Sequence, residues 1–201
     1  MDNQGPTGIH ESKTALRQQV RERLTGLPSN QRKSGSDAIV VRVRSLPAWS
    51  SAPAILLFAP MPDEPDIWPL VETALAEGKT LGLPRFSSQA QTYVAARVRE
   101  IQPDICTGKY GIREPSEACS AIPWADIELI VVPGVAFDLR GHRLGRGRGH
   151  YDRMLAQVRG IKCGVAFDEQ IVDEIPAAKH DVHMNLVVTP TRTIMMRVRE
   201  T

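Results

Sequence analysis

The most apolar run of the chain, residues 129–137, leads into a loop in which glycine and arginine alternate at residues 145–149. A continuous apolar run of this length is typical of a strand that is buried on both faces of a sheet. Residues 54–59 form a second such run, bounded by Pro53 and Pro60. Because strands of this kind are covered on both sides, the sequence predicts a largely parallel central sheet between layers of helices.

Helical patterns lie before and between these runs. A first helix is predicted from Ser12 to about Pro28, because apolar residues recur there at spacings of four, four and three: Leu16, Val20, Leu24 and Leu27. Further helices are predicted over 31–46, closed by Pro47, over 68–75, ended by Gly78, and over 151–158. The sequence therefore predicts two N-terminal helices ahead of the sheet.

Strand patterns complete the sheet, whereas residues 102–123, with three prolines, are predicted to be mostly loop. Additional strands are predicted at 80–83, 93–99, 161–167, 186–188 and 193–196. The predicted fold class is α/β, a single-domain three-layer open sheet flanked by helices. We assign this domain to residues 12–201 and predict that residues 1–11 form a flexible N-terminal tail.

Composition excludes several classes of protein. The chain has 25 Lys and Arg against 23 Asp and Glu, a net charge of +2, which is too balanced for a surface devoted to polyanions. Three cysteines without metal-ligand spacing indicate neither a disulfide framework nor a zinc site. No apolar run approaches the ~18 residues of a membrane span, and the first ten residues lack the apolar stretch of a signal peptide. These features predict a cytoplasmic protein.

The segment 140–153 holds five arginines and two histidines against a single acid, Asp152. Three glycines permit close approach of the backbone to a ligand, and the helix that follows begins with free N–H groups: Gly145, Gly147 and Gly149. This pattern favours phosphate binding, although it is neither a Walker loop nor a dinucleotide fingerprint, because His150 stands in the place of the third glycine. An exposed arginine-rich turn and a nucleic-acid contact are the alternatives.

Three acids are candidates for a ligand or metal site. Asp152 can hold Mg²⁺ beside a phosphate, or it can be a helix-start acid paired with an arginine. Glu64 follows the first buried strand, where open α/β sheets bind ligands, although a solvated turn carboxylate is also compatible with its position. Asp181, next to His180, can supply a second carboxylate for the metal or belong to a surface pair.

These motifs together resemble one family. The segments that carry the resemblance are 13–17, 61–64, 109–115, 133–138, 143–153 and 180–181, and they span the chain from about Lys13 to Thr189. In this order they are similar to the 5-formyltetrahydrofolate cyclo-ligase family, also called methenyltetrahydrofolate synthetases. The glycine–arginine segment is the most specific of them.

The resemblance implies a monomeric cytosolic enzyme that converts 5-formyltetrahydrofolate, with or without a polyglutamate tail, to 5,10-methenyltetrahydrofolate. The implied cofactors are ATP and Mg²⁺, and the other products are ADP and phosphate. The resemblance implies no nucleic-acid partner and no membrane partner. The implied mechanism transfers the γ-phosphoryl group to the formyl oxygen, and attack by N10 then expels phosphate. A formyl oxygen is a poor leaving group, and phosphorylation makes it a good one.

The resemblance also assigns residues by position. The implied ATP-binding residues are Lys13, Arg17, Arg143, Leu144, Gly145, Arg146, Gly147, Arg148, Gly149, His150 and Tyr151. The implied folate-binding residues are Glu64, Gly147, Arg148, Gly149, His150 and Tyr151. Asp152 and Asp181 match the magnesium positions, and Arg146, Arg148 and Tyr151 are the candidate catalytic residues.

Three positions depart from the family pattern. His150 replaces a tyrosine, Ile67 replaces a threonine and thereby removes a hydroxyl near the folate, and Asn185 replaces an aspartate. Tyr110 and Trp68 are either pterin-stacking aromatics or packing residues. Because of these departures, a relative that binds folate but has little turnover is an alternative function. A nucleic-acid-binding module that uses the arginine loop is a second, less favoured alternative.

Overall fold

The computed structural model describes residues 6–108, 111–176 and 181–196. Its helices are α1 (Pro6–Thr25), α2 (Ser29–Arg44), α3 (Pro47–Ser51), α4 (Trp68–Ala76), α5 (Ile101–Asp104) and α6 (His150–Leu155). Short 3₁₀ turns occupy Trp124–Asp126 and Asp168–Gln170. The strands are β1 (Ala54–Leu56), β2 (Thr80–Ser87), β3 (Thr92–Val98), β4 (Ile105–Thr107), β5 (Arg113–Pro115), β6 (Ala121–Ile122), β7 (Leu129–Pro133), β8 (Ala136–Asp138), β9 (Arg143–Leu144), β10 (Ile161–Val165), β11 (Ile171–Val172), β12 (Leu186–Val188) and β13 (Thr193–Met195).

Eight strands form the central sheet in the order β13-β12-β10-β7-β1-β2-β3-β6. The five inner strands are parallel, and the pairs β12–β13, β2–β3 and β3–β6 are antiparallel. From β1 the chain passes to β2 on one side and later to β7 on the other. The order of the sheet therefore reverses between β1 and β7, which is where open α/β sheets bind ligands.

Side chains of β7 alternate between two hydrophobic cores, as a strand buried on both faces requires. Leu129 and Val131 pack with residues of α2, α3 and α4, whereas Ile130 and Val132 pack with Leu155 of α6. A third core joins α1 to the small sheet β11-β8-β9. This arrangement confirms the predicted α/β class, with helices on both faces of a largely parallel sheet.

The element boundaries differ from the sequence predictions at several places, and the segment 102–123, predicted to be mostly loop, holds β4, β5 and β6. Helix α1 begins at Pro6, so residues 6–11 of the predicted tail are helical, and proline suits a first helical position. Pro47 does not close α2, which ends at Arg44, but begins α3. The run 129–137 is not one strand, because β7 ends at Pro133 and β8 belongs to the small sheet.

No helix within the described ranges combines the length and apolar character needed to cross a membrane.

Replacing Gly160 with alanine is expected to destabilise the fold. A Cβ atom at Gly160 would lie 2.3 Å from the backbone oxygen of Glu128, which also accepts the N–H of Ile161 at 2.7 Å. Relief of this clash requires β7 and β10 to separate, so the free energy of unfolding should fall by about 1–3 kcal/mol. Gly26→Ala is the control, because its Cβ meets only the Arg23 oxygen at 3.6 Å. Equal urea midpoints for the two variants would contradict this packing.

Candidate active site

Two loops meet at the edge of the sheet where β1 and β7 end. Glu64 lies in the loop after β1, and the small sheet after β7 leads into residues 145–149, which we call the glycine–arginine loop. Arg146 of this loop donates from Nη2 to Asp63 Oδ1 at 2.6 Å and to Glu64 Oε1 at 3.2 Å. The structure therefore brings the predicted folate acid and the predicted ATP loop into one site.

Glycine is required at two positions of the loop. Gly147 has φ 101° and Gly149 has φ 65°, values in the left-handed region that other residues adopt only with strain. Arg17 of α1 reaches across to this loop, and its Nε donates to the Gly145 oxygen at 2.9 Å. A Cβ at Gly147 would lie 3.6 Å from the Arg17 guanidinium carbon. Helix α1 is thus joined directly to the loop.

Arg143 is the buried cation of the site, with 3% of its side chain exposed. It donates from Nη2 to Asp152 Oδ1 at 2.9 Å and from Nη1 to the Pro133 oxygen at 3.2 Å, while Nε is buried and has no hydrogen-bond partner among the described residues. The Arg143 guanidinium also lies 5.2 Å from the centre of the Tyr151 ring. Arg143 thereby links the end of β7 to the start of α6. The pair with Arg143 agrees with the interpretation of Asp152 as a helix-start acid that is paired with an arginine.

The neighbouring Leu144 has a buried side chain in the third core, and its oxygen accepts the N–H of Val135 at 2.7 Å. Neither the side chain nor this oxygen faces outward, so Leu144 holds the small sheet in place.

Glu64 is a nearly buried carboxylate, with 10% of its side chain exposed. Its Oε2 accepts the Met61 N–H at 3.0 Å, and its Oε1 accepts from Arg146. Burial raises the pKa of Glu64, and the Met61 N–H and the Arg146 guanidinium only partly offset that rise. Burial, and then the Glu64 charge, raise the pKa of Tyr151 far above its ordinary value, so the Tyr151 hydroxyl stays protonated and can donate a hydrogen bond.

Glu64→Gln is expected to stabilise the chain at neutral pH. The folded state binds the Glu64 proton more tightly than the unfolded state, so stability falls as pH rises from about 4.3 through the raised pKa. Glutamine removes this cost, and Arg146 keeps Asp63 as its partner. The gain in the free energy of unfolding should therefore be full at neutral pH and absent below about pH 4.

Urea denaturation across this pH range measures the difference, with the exposed Glu72→Gln as control. A loss of stability at neutral pH would show that the ion pair with Arg146 outweighs the cost of burying Glu64.

The second predicted magnesium acid, Asp181, pairs with Lys13 of α1 across 168 positions of sequence, with Nζ and Oδ2 2.7 Å apart. Carboxylate oxygens are the ligands that Mg²⁺ takes, together with phosphate oxygens, and Asp152 and Asp181 fit that donor set. Within the described part of the chain, no group of three or more His, Cys, Asp or Glu residues could hold a metal by itself. A metal at this site would therefore need oxygens from a bound phosphate.

Most arginines of the segment 140–153 have partners in the folded chain. Arg140 pairs with Glu174, Arg143 with Asp152, and Arg146 with Asp63 and Glu64. The guanidinium of Arg148 is exposed and, among the described residues, makes no hydrogen bond or ion pair. This internal pairing weighs against a nucleic-acid surface and leaves Arg148 as the loop cation readiest to meet a phosphate.

Two of the three departures lie away from the site. Ile67 is fully buried in the core with α2 and α4, so the expectation that it removes a hydroxyl near the folate is wrong. Asn185 Oδ1 accepts the Lys162 N–H at 2.8 Å at the start of β10. His150 alone lies at the site, as the first residue of α6 directly after the glycine–arginine loop.

Trp68 is also buried, with the Arg113 guanidinium 4.1 Å from its ring centre, and it is a packing residue. Tyr110 and His180 lie outside the described residues.

Sequence reasoning missed two residues of the site, Asp63 and Tyr93. Asp63 contacts Arg146, and the Tyr93 ring lies 4.9 Å from the ring of His150. The spacing within the sequence carries no signal for either contact, because each joins segments that only the folded sheet brings together.

The fold and the site define a class of single-domain α/β proteins. These proteins place a glycine–arginine loop where the strand order of an open sheet reverses, here between β1 and β7. The chain belongs to the 5-formyltetrahydrofolate cyclo-ligase family, whose model matches residues 9–190. It is 32% identical over 200 residues to a probable 5-formyltetrahydrofolate cyclo-ligase of Schizosaccharomyces pombe, covering 90% of this chain and 97% of that protein. The mouse 5-formyltetrahydrofolate cyclo-ligase is 27% identical over 191 residues, covering 90% and 94%.

Solved structures agree with this assignment. The NMR structure of Aquifex aeolicus 5,10-methenyltetrahydrofolate synthetase matches with a TM-score of 0.83 and 32% identity, covering 94% of this chain and 95% of that one. A Mycoplasma pneumoniae 5,10-methenyltetrahydrofolate synthetase shares the fold, with a TM-score of 0.68 at 22% identity and coverage of 89% and 98%.

Proposed function

We propose that the chain is an ATP- and Mg²⁺-dependent 5-formyltetrahydrofolate cyclo-ligase that forms 5,10-methenyltetrahydrofolate, ADP and phosphate. Family membership supports the reaction class. The observation that carries the proposal is the contact of Arg146 with Glu64, which joins the loop suited to phosphate with the acid suited to folate. A reaction between two bound substrates requires such adjacent sites.

The loop supplies the groups that neutralise a transferring phosphoryl group. Arg148 is exposed and unpaired among the described residues, and Arg146 and Lys13 lie at the same site in exchangeable ion pairs. Positive charge held close to the equatorial oxygens is the main contribution that a protein makes to phosphoryl transfer. We assign phosphate contacts to Arg146, Arg148 and Lys13, and a structural role under the loop to Arg143.

Glu64 is assigned to the pterin. A carboxylate accepts paired hydrogen bonds from an amino-pyrimidinone edge, and the Met61 N–H and the Arg146 guanidinium hold Glu64 in one orientation. Tyr151 keeps its proton because of its raised pKa, so its hydroxyl acts as a donor toward the reacting oxygens and not as a base.

Asp152 and Asp181 are the residues that would hold Mg²⁺. When bound, the ion would neutralise phosphate oxygens and orient them for in-line attack. In the folded chain the cations Arg143 and Lys13 keep the two acids in place. Asp181, which pairs with Lys13 in the folded chain, would supply a carboxylate oxygen to the ion, and Lys13 would contact the phosphate.

A cytoplasmic location and a monomeric state stay predictions from the family resemblance. So does the absence of nucleic-acid and membrane partners.

The direct test follows the near-ultraviolet absorbance of the methenyl product with purified protein and 5-formyltetrahydrofolate. The band should grow only when ATP and Mg²⁺ are both present. Calorimetric binding of folate and nucleotide without growth of the band would favour the folate-binding relative instead. In that case a His150→Tyr variant should gain turnover without tighter nucleotide binding.

A further inference from the structure

Three aromatic rings form a continuous row from the β2–β3 hairpin to the glycine–arginine loop. Phe86 and Tyr93 stand directly opposite each other in the antiparallel pair, and their ring centres lie 5.6 Å apart at 74°. The Tyr93 ring lies 4.9 Å from the His150 ring at 56°. Both pairs are within the contact range of aromatic side chains, where such contacts add to simple burial. The hairpin therefore supports the end of the loop.

The His150 ring is held on a second side by Arg153. Arg153 Nη2 lies 2.9 Å from His150 Nδ1, and a guanidinium only donates, so Nδ1 accepts and the proton of the neutral ring is on Nε2. The same Nη2 lies 3.5 Å from the Arg148 oxygen. A chain of contacts thus runs from Tyr93 through His150 and Arg153 to the backbone at Arg148.

This chain of contacts restrains the second half of the loop, whereas Arg17 and the ion pairs of Arg146 hold the first half. Gly147 and Gly149 adopt left-handed conformations, and glycine passes readily between these and other conformations. His150 follows Gly149 directly, so a fixed His150 ring limits the conformations of both glycines. A loop that is ordered before binding costs less entropy when a ligand binds.

We propose that Tyr93 is a positioning residue that acts through His150 to preorganise the glycine–arginine loop for MgATP. The proposal rests on the proposed function for the identity of the ligand. It predicts that the ring of Tyr93, and not its hydroxyl, sets the affinity for nucleotide, and that Tyr93 itself does not touch the nucleotide.

A double-mutant cycle tests the proposal by calorimetry with Mg²⁺ and a non-hydrolysable ATP analogue. Tyr93→Ala should weaken binding about fivefold or more, as expected for residues in contact, but less than about twofold in the His150→Ala background. Tyr93→Phe keeps the ring and should stay within about twofold of wild type. In the enzyme assay, Tyr93→Ala should raise KM for MgATP and leave kcat nearly unchanged.

Two further variants separate positioning from folding. Thr92→Ala, an exposed position of the same strand, is the matched control and should bind as wild type does. Tyr93→Leu keeps apolar volume on β3 and removes the aromatic ring. It should therefore lose nucleotide affinity to the same extent as Tyr93→Ala, and it serves as the test variant if Tyr93→Ala does not fold. Thermal melting of each variant identifies any that fail to fold.

Three results would overturn the proposal: unchanged binding in Tyr93→Leu, an equal loss in the His150→Ala background, or a loss in Tyr93→Phe as large as in Tyr93→Leu. The second of these would mean that Tyr93 contacts the nucleotide itself. Hydrogen exchange without ligand is the independent readout, because amides of residues 145–150 should exchange faster in Tyr93→Leu than in Thr92→Ala. If wild type bound no nucleotide, the proposed function would fail, and the exchange result would still decide whether Tyr93 orders the loop.

Discussion

Arg148→Ala lowers kcat/KM at least about tenfold, which corresponds to a loss of about 1.4 kcal/mol of transition-state stabilisation. Arg148 is the loop arginine whose guanidinium is exposed and has no partner among the described residues, so it can meet a phosphate without first breaking an ion pair. Its side chain is exposed, and the free energy of unfolding should therefore stay within about 0.5 kcal/mol of wild type. Steady-state kinetics and urea denaturation measure the two effects.

Two comparisons make the Arg148 result specific. Arg159→Ala removes an exposed arginine beside β10 and should leave kcat/KM unchanged. Arg148→Lys retains a charge but not the planar guanidinium, so its rate should lie between those of wild type and Arg148→Ala. A wild-type rate in Arg148→Ala would remove this residue from the site.

Asp152→Ala also lowers turnover at least about tenfold, and it destabilises the fold. The substitution leaves the buried Arg143 guanidinium without its carboxylate, a change that costs about 3 kcal/mol for a fully buried pair and less here, because 32% of the Asp152 side chain is exposed. Asp152→Asn keeps an oxygen that can accept from Arg143. It should therefore lose most of the activity but less of the stability, and it should require more Mg²⁺ for half-maximal rate.

The matched control for Asp152 is Asp126→Ala, an exposed acid in the Trp124–Asp126 turn. Kinetics at varied Mg²⁺, together with denaturation of each variant, separate the metal effect from the structural one. An Asp152→Asn variant with the wild-type rate and the wild-type Mg²⁺ dependence would show that Asp152 serves only to neutralise Arg143.

The parts of the fold that sequence predicts well are those in which burial is local and repeated. Residues 54–56 and 129–133 are apolar on both faces, and the structure makes them the neighbouring strands β1 and β7. The glycine–arginine loop is also evident from sequence, because its composition alone suits phosphate. By contrast, the break between β7 and β8 depends on packing around Gly134, where a Cβ would lie 2.7 Å from the Phe137 ring.

The partners of the site residues could not be read from sequence. Lys13 and Asp181 are 168 positions apart, and Arg146 meets Glu64 across 82, so each contact depends on which strands are neighbours. Ile67 is an example of the opposite case, in which residues close in sequence do not share a site. Its place next to the loop of Glu64 suggested a ligand contact, whereas the start of α4 turns it into the core. Proximity along the chain does not determine which way a side chain faces.

Transfer of the formyl oxygen to phosphate is the most direct test of the account. With 5-formyltetrahydrofolate labelled with ¹⁸O in the formyl group, mass spectrometry of a single turnover in unlabelled water follows the label. We expect one ¹⁸O atom in each molecule of inorganic phosphate, because the γ-phosphoryl group of ATP bonds to that oxygen before N10 closes the ring. Methenyl product with all of the ¹⁸O in water and none in phosphate would contradict the account.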